Sequence, residues 1–292
     1  MTYIKELDII RFFAFLLVFV SHYTYFFREK DGLTYYLTQG DVGVQIFFVL
    51  SGFLITTLLF LEKENTGRIN FKNFYMRRIL RIWPLYFLIV AIGLTTAYYQ
   101  GLLEHTHPWS LFTFLSNFTI INDNNFYLPL AILWSLAVEE QYYLIWPPLV
   151  YFLKTKYLKI LLILSIIFSF WFKYYGTDIW QVAAYHTFSN ISYLAIGSFF
   201  ALNIKNTYFS KLILASNKLI NFTKLGASNT LIYLGKISYG LYMYHIFALM
   251  IFKSFLPSLA VTILFAHLSY KYFEQPILKR YKSRFTSGTA KV

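Results

Sequence analysis

Eight apolar stretches of about membrane-crossing length dominate this chain: roughly 7–27, 41–61, 82–99, 134–153, 158–175, 188–204, 231–252 and 256–273. A hydrocarbon core takes about 20 helical residues to cross, and some stretches reach that only with interfacial aromatics included. The backbone finds no water in lipid, so a crossing segment must be a helix or part of a closed barrel. These runs are continuous and too long for the roughly ten-residue alternating strands of a barrel. The expected fold is all-α, a polytopic membrane helix bundle of about eight transmembrane helices. Because 58% of residues are hydrophobic and 13% charged, no polar segment is long enough for a soluble domain. The segment 109–121 is apolar but short, and reads as re-entrant or interfacial.

Charge sets the orientation. With both termini cytoplasmic, only Arg28, Lys30, Lys173 and Lys253 of 26 lysines and arginines fall outside, and Arg11 lies within a span. That bias is what the positive-inside rule requires. It also decides against 109–121 as a full span, which would put Lys154, Lys156 and Lys159 outside. The net charge of +13 then reflects topology and anionic-lipid contact, with no nucleic acid expected. The expected organisation is a membrane-embedded domain over 1–279 and a basic cytoplasmic tail over 280–292. Arg11 interrupts the first apolar run and bulky aromatics follow Ser21-His22-Tyr23, so we expect no cleaved signal peptide. Cysteine is absent, which excludes disulfides, thiolate metal sites and a cysteine nucleophile.

Several ionisable groups sit where they are costly. Arg11 and His22 lie in the first span, about three helical turns apart, near one face but about 16 Å apart in depth. Ionisable residues inside a span usually face a polar interior and serve a site; the alternative is a snorkelling arginine and an interfacial histidine. Asp41 opens the second span near the expected level of His22, where a carboxylate can orient the ring. Gly40, Gly43 and Gly52, with Ser51, permit close helix packing. Arg77, Arg78 and Arg81 form a cationic mouth at the cytoplasmic boundary, suited to phosphate or anionic lipid. Glu139 and Glu140 stand near the outer end of span four, and at most one faces inward. Such a carboxylate pairs with Arg11, shares the proton of His22, binds an acceptor hydroxyl or rests in interfacial water. His245 falls in the outer half of span seven, at a depth similar to His22. Pro276 is expected to stop the last helix. His105 and His107 form an HxH pair in an outer loop, but no carboxylate-rich partner set accompanies them, and no metal is expected.

The series RFFAFLLVFVSHY, GDVGVQIFFVLSGF, FYMRRILRIWP, LWSLAVEEQYYLIWP, ISYGLYMYH and YFEQP, in that order, resembles the acyltransferase 3 family. These are bacterial integral-membrane O-acyltransferases of surface carbohydrate, and the resemblance runs from Leu7 to about Pro276. It implies that an acyl group, most often acetyl, passes from cytoplasmic acyl-CoA to a hydroxyl of an envelope glycan or lipid-linked saccharide. It implies a catalytic role for His22, the essential arginine at Arg11, and contact of Arg78 and Arg81 with the CoA donor. Acyl-CoA is then a donor substrate, and no permanently bound cofactor is expected. The implied location is the bacterial cell (inner) membrane, as a multi-pass protein. The usual family complement is one helix pair larger, and the shortfall lies around 205–230.

The layout agrees with that chemistry. His22 acts as general base on the acceptor hydroxyl, or as a nucleophile in an acyl-histidine relay. Arg11 stabilises developing charge or holds the donor, its depth favouring the second. A transporter or flippase of lipid-linked glycan, using the same buried charges as a pathway, is the alternative from another class. A non-catalytic membrane scaffold is a third.

Overall fold

The computed structural model describes residues 4–27, 41–203 and 229–285, and these are helical and turn segments, with no strand among them. In chain order the longer early helices are α1 (Lys5–Phe27), α2 (Asp41–Thr66) and α3 (Phe71–Tyr99). A 3-10 turn at Leu103–Thr106 and three short helices follow: α4 (Pro108–Phe112), α5 (Ser116–Asn122) and α6 (Leu128–Ala131). Then come α7 (Trp134–Phe152), α8 (Thr155–Tyr174), α9 (Trp180–Tyr185) and α10 (Thr187–Asn203). The chain continues with α11 (Asn229–Lys236), α12 (Ser238–Phe252) and α13 (Phe255–Ser269), a π turn at Tyr270–Glu274, and α14 (Gln275–Phe285). Among the described residues, four helices are long and apolar enough to cross a membrane: Lys5–Phe27, Val42–Thr66, Phe71–Tyr99 and Thr155–Tyr174. The stretch around 205–230, where one helix pair fewer is expected, falls almost wholly outside the described residues.

The chain divides into two compact units. The first is drawn from Met1–Phe47, Met76–Tyr86 and Asn206–Val292, the second from Phe48–Tyr75 and Phe87–Lys205. In the first, α1 packs on α11 and α12, and α12 packs on α13. Phe15, Phe19, Leu241, Met243, Ile246 and Leu249 are fully enclosed there. Gly235 lets α11 touch the backbone of α1, since a β-carbon there would collide with the Asp8 carbonyl. Gly43 does the same for α2 against Ala14 and Val18.

Pro276 does not end the last helix. Proline lacks an N–H and clashes with the carbonyl four residues earlier in a regular helix, but it is tolerated in a first turn. The π turn at Tyr270–Glu274 resets the ladder, so Pro276 enters as the second residue of α14 and the helix runs on to Phe285.

In the second unit α10 lies along α8, and α7 packs on α5, α8 and α10. Gly52 of α2 and Gly197 of α10 form a reciprocal close approach. A β-carbon on Gly52 would strike the Leu194 carbonyl, and one on Gly197 the Val49 carbonyl. Small hydroxyls bind this contact, as expected where helices associate without a hydrophobic drive. Thr56 Oγ1 donates to Ser198 Oγ at 2.8 Å, Trp146 Nε1 donates to Thr56 Oγ1 at 2.8 Å, and Ser198 Oγ donates to the Gly52 carbonyl at 3.1 Å.

Two prolines, Pro147 and Pro148, sit inside α7. Pro148 cannot donate to the Leu144 carbonyl, and the Tyr75 hydroxyl does so instead at 3.0 Å. Lys63 closes the end of the same helix, its Nζ donating to the carbonyls of Val150 at 2.8 Å and Tyr151 at 3.1 Å. Segment 109–121 is broken between α4 and α5, where Phe114 takes a left-handed φ of 55°. Gln141 of α7 holds that break, donating through Nε2 to the Phe114 carbonyl and to Asn117 Oδ1, both at 2.9 Å. Helices of five and seven residues cannot cross a bilayer, in keeping with a re-entrant or interfacial segment.

Two substitutions test this packing. Gly197→Leu drives a side chain into the α2 backbone and is expected to abolish monodisperse protein in detergent. Tyr75→Phe strips the Leu144 carbonyl of its donor and is expected to cost about 1 kcal/mol, seen as a lower Tm. An unchanged Tm would mean that another donor serves that carbonyl.

Candidate active site

Helix α1 is continuous from Lys5 to Phe27, so Arg11 and His22 are fixed on one rod. Eleven residues at about 100° each bring them within about 20° of one face. Arg11 sits near the helix start, and its guanidinium Nη1 donates to Asp8 Oδ1 at 2.8 Å. Asp8 is buried at 3% exposure, within two turns of the helix N-terminus, where a carboxylate also complements the helix dipole. The pair fixes the arginine head along its own helix, at the end opposite His22.

At the other end His22 is half-buried and meets His245 of α12, with His22 Nδ1 and His245 Nε2 2.9 Å apart. The two rings stack 5.0 Å apart with 30° between planes. His245 has no exposed surface. Its ring is enclosed by Phe15, Phe19 and Tyr242, and its Nδ1 lies 2.5 Å from the Tyr242 carbonyl. Phe26 also stacks against the His22 ring, with centroids 6.2 Å apart.

The cationic residues of α3 belong to the same unit as Arg11 and His22. Arg77 and Arg78 are half-buried, whereas Arg81 is exposed. Tyr239 of α12 ties to this part of α3 by donating to the Ile82 carbonyl at 2.8 Å. Asp41 is the first residue of α2, but its side chain lies outside the described residues.

Glu139 and Glu140 lie in the second unit, both half-buried. Glu139 accepts from two hydroxyls, Ser51 at 2.9 Å through Oε1 and Tyr143 at 2.7 Å through Oε2. Ser51, singled out in the sequence only as a small polar group, thus binds a carboxylate 88 positions away.

His105 and His107 of that unit share a carboxylate absent from the sequence reading. His107 Nε2 lies 2.8 Å from Asp123 Oδ2 and His105 Nδ1 3.4 Å from the same oxygen. Burial opposes ionisation of Asp123, but hydrogen bonds from His107, the Asn125 N–H and His105 outweigh it and hold the carboxyl below its ordinary value. Among the described residues no group of three or more such ligands has the arrangement to hold a metal ion.

Sequence reasoning therefore missed Asp8 as the partner of Arg11 and His245 as the partner of His22. The first left a signal, since residues three apart share a helix face. The second left only a matching depth, because 223 positions separate the rings.

Chemically, the first unit offers an imidazole with one nitrogen committed and one free of that contact, on a helix whose far end carries a fixed guanidinium. Such a ring can exchange a proton or form an acyl bond.

Comparison with known proteins gives this arrangement a setting. A Staphylococcus aureus (strain COL) protein, provisionally named an O-acetyltransferase, is 26% identical over 363 residues, covering 96% of this chain and 58% of its own length. The peptidoglycan O-acetyltransferase OatA of Listeria monocytogenes is 32% identical over 205 residues, covering 60% of this chain and 32% of that protein. A Bacillus subtilis protein, YrhL, provisionally named a peptidoglycan O-acetyltransferase, is 36% identical over 159 residues, covering 50% of this chain and 23% of YrhL. The chain thus spans little more than half the length of the first relative and less of the others. No solved structure matches it. Residues 4–220 match the acyltransferase 3 family, described as an acyltransferase domain, and the chain belongs to that family.

Proposed function

We propose that this protein is a membrane-embedded O-acyltransferase moving an acyl group, acetyl first, from cytoplasmic acyl-CoA to a hydroxyl of cell-envelope carbohydrate. The observation that carries the reading is His22. It is a half-buried imidazole inside a membrane-length helix, held through one nitrogen and aligned with Arg11 on a single face. Family membership and relatives named as O-acetyltransferases supply the reaction class. Two are named for peptidoglycan, which makes a peptidoglycan hydroxyl the acceptor to test first.

In this reading the chain lies in the bacterial cell membrane with eight crossings and both termini cytoplasmic. The phosphates of the donor meet Arg78 and Arg81, whose planar forks suit phosphate oxygens, and Arg77 adds charge at the same mouth. The acyl-pantetheine arm extends past Arg11 towards His22. His22 takes the proton of the acceptor hydroxyl while that oxygen bonds to the thioester carbonyl carbon. The carbon–sulfur bond then breaks, and the proton passes to the departing thiolate. An acyl-histidine relay would use the same ring in two steps. Asp8 holds the Arg11 head at the end of α1 opposite His22, which suits gripping the donor better than reaching the reacting carbonyl. The carboxylate of Glu139, in the second unit, already accepts two hydroxyl hydrogen bonds.

Transfer of radiolabel from acetyl-CoA into envelope glycan checks the reading. His22→Ala is expected to lower it at least 100-fold with the protein still folded, since a general base contributes about 10²–10⁴. Retained turnover would remove His22 from the chemistry. Arg78→Ala and Arg81→Ala are expected to raise the apparent KM for acetyl-CoA about tenfold with kcat little changed. An unchanged KM would place the donor elsewhere.

A further inference from the structure

We infer that His245 is a positioning residue for this reaction: it holds His22 in one tautomer and leaves Nε2 of His22 as the reacting nitrogen. The inference rests on the reading of His22 as the catalytic imidazole. It goes further by naming the atom and the group that selects it.

A carbonyl oxygen only accepts hydrogen bonds, and the Tyr242 carbonyl faces His245 Nδ1 at 2.5 Å. The proton of that contact must therefore sit on Nδ1. A neutral imidazole has a single N–H, so His245 Nε2 presents a lone pair. That lone pair faces His22 Nδ1 at 2.9 Å. Two lone pairs repel at such a distance, so His22 Nδ1 carries its proton and donates it. The lone pair of His22 is then on Nε2. With both rings neutral, no other assignment satisfies these contacts, and each step follows from the one before.

The enclosure makes the assignment rigid. His245 is wholly buried, with the edge or face of Phe15, Phe19 and Tyr242 against its ring. Phe15 and Phe19 come from α1, the helix that carries His22, so packing holds both rings to one frame. A ring that cannot rotate keeps its acceptor aimed at His22.

The consequence is a His–His pair doing what a carboxylate does beside histidine in a hydrolase triad. There, the carboxylate holds the tautomer and supports the imidazolium without taking its proton. Here, as the acceptor hydroxyl gives its proton to Nε2 of His22, the Nδ1–H bond to His245 persists and steadies the new charge. The acceptor oxygen bonds to the acyl carbon, the thioester C–S bond breaks, and the Nε2 proton leaves with the thiolate. A neutral acceptor also leaves His22 free to release that proton. If an acyl-histidine forms instead, the acyl group sits on Nε2.

Side-chain geometry supplies the test. The Gln amide oxygen reaches the place of a histidine Nε2, whereas the Asn amide reaches only that of Nδ1. His245→Asn keeps a donor for the Tyr242 carbonyl but leaves His22 Nδ1 with no acceptor; His245→Gln restores one. Both are polar and similar in size, so folding does not separate them. Purified full-length protein would be assayed for acetyl transfer to a peptidoglycan-derived saccharide, with melting temperature as the folding control and His22→Ala alongside. We expect His245→Asn to lower kcat at least 100-fold with KM for acetyl-CoA within about twofold. We expect His245→Gln to recover at least tenfold of that loss. The double variant His22→Ala/His245→Asn should be no slower than His22→Ala alone, as for groups acting as one unit.

If His22→Ala is inactive while His245→Asn stays within threefold of wild type, the inference falls and the proposed function stands. Equal kcat for the Asn and Gln variants overturns it too, since then only packing matters. Full activity in His22→Ala overturns the reading of the site and this inference with it.

Discussion

A peptide or side-chain polar group in hydrocarbon has no water to turn to, and leaving one unmet costs several kcal/mol. That constraint makes the described chain helical. It also explains the side-chain bonds where helix geometry fails. Pro148 takes a donor away from the Leu144 carbonyl, and the Tyr75 hydroxyl supplies another. The last turn of α7 leaves carbonyls open, and Lys63 reaches across to two of them. The break at Phe114 is held by Gln141 in the same way. Water would do this in a soluble protein.

The same accounting governs the ionisable groups. A guanidinium near one end of α1 is matched by a carboxylate three residues before it. An imidazole near the other end is matched by a second imidazole, itself anchored to a backbone carbonyl. Satisfying buried polar groups and preparing a reactive one are here a single arrangement. A fully satisfied ring in an enclosed site has one orientation and one tautomer, which is what proton transfer needs. The close approaches at Gly43 and Gly235 serve this indirectly, because they bring α2 and α11 onto the backbone of α1.

Much of this was legible in the sequence, for physical reasons. Long apolar runs mark the helices because lipid tolerates little else, so α1, α2 and α8 fall close to where hydropathy puts them, whereas α3 begins at Phe71, eleven residues before the apolar run at 82–99. That 109–121 is too short to cross followed from its length, and the structure divides it between helices of five and seven residues. Arg11 and His22 stood out because charge in a span is costly. What escaped was side-chain direction. The run 231–252 reads as one helix, yet α11 ends at Lys236 and α12 begins at Ser238. Proline at 276 reads as a stop, yet a π turn absorbs it. His245 matched His22 in depth, but depth does not say which way a ring points. Ser51 read as a packing residue, and its bond to Glu139 needed two helices far apart in sequence. Hydropathy reports position along the membrane normal; partners depend on rotation about each helix axis, which no one-dimensional pattern carries.

In the proposed function, donor and acceptor meet at His22 from opposite faces of the membrane. Sealed proteoliposomes of known protein orientation test it most directly, with acetyl-CoA on the face presenting Arg78 and Arg81 and a peptidoglycan-derived saccharide on the other. The account predicts O-acetyl ester on the saccharide in that arrangement, and none with His22→Ala. Ester formed only when both substrates share one face would contradict it. So would no ester at all under conditions where the Listeria enzyme transfers.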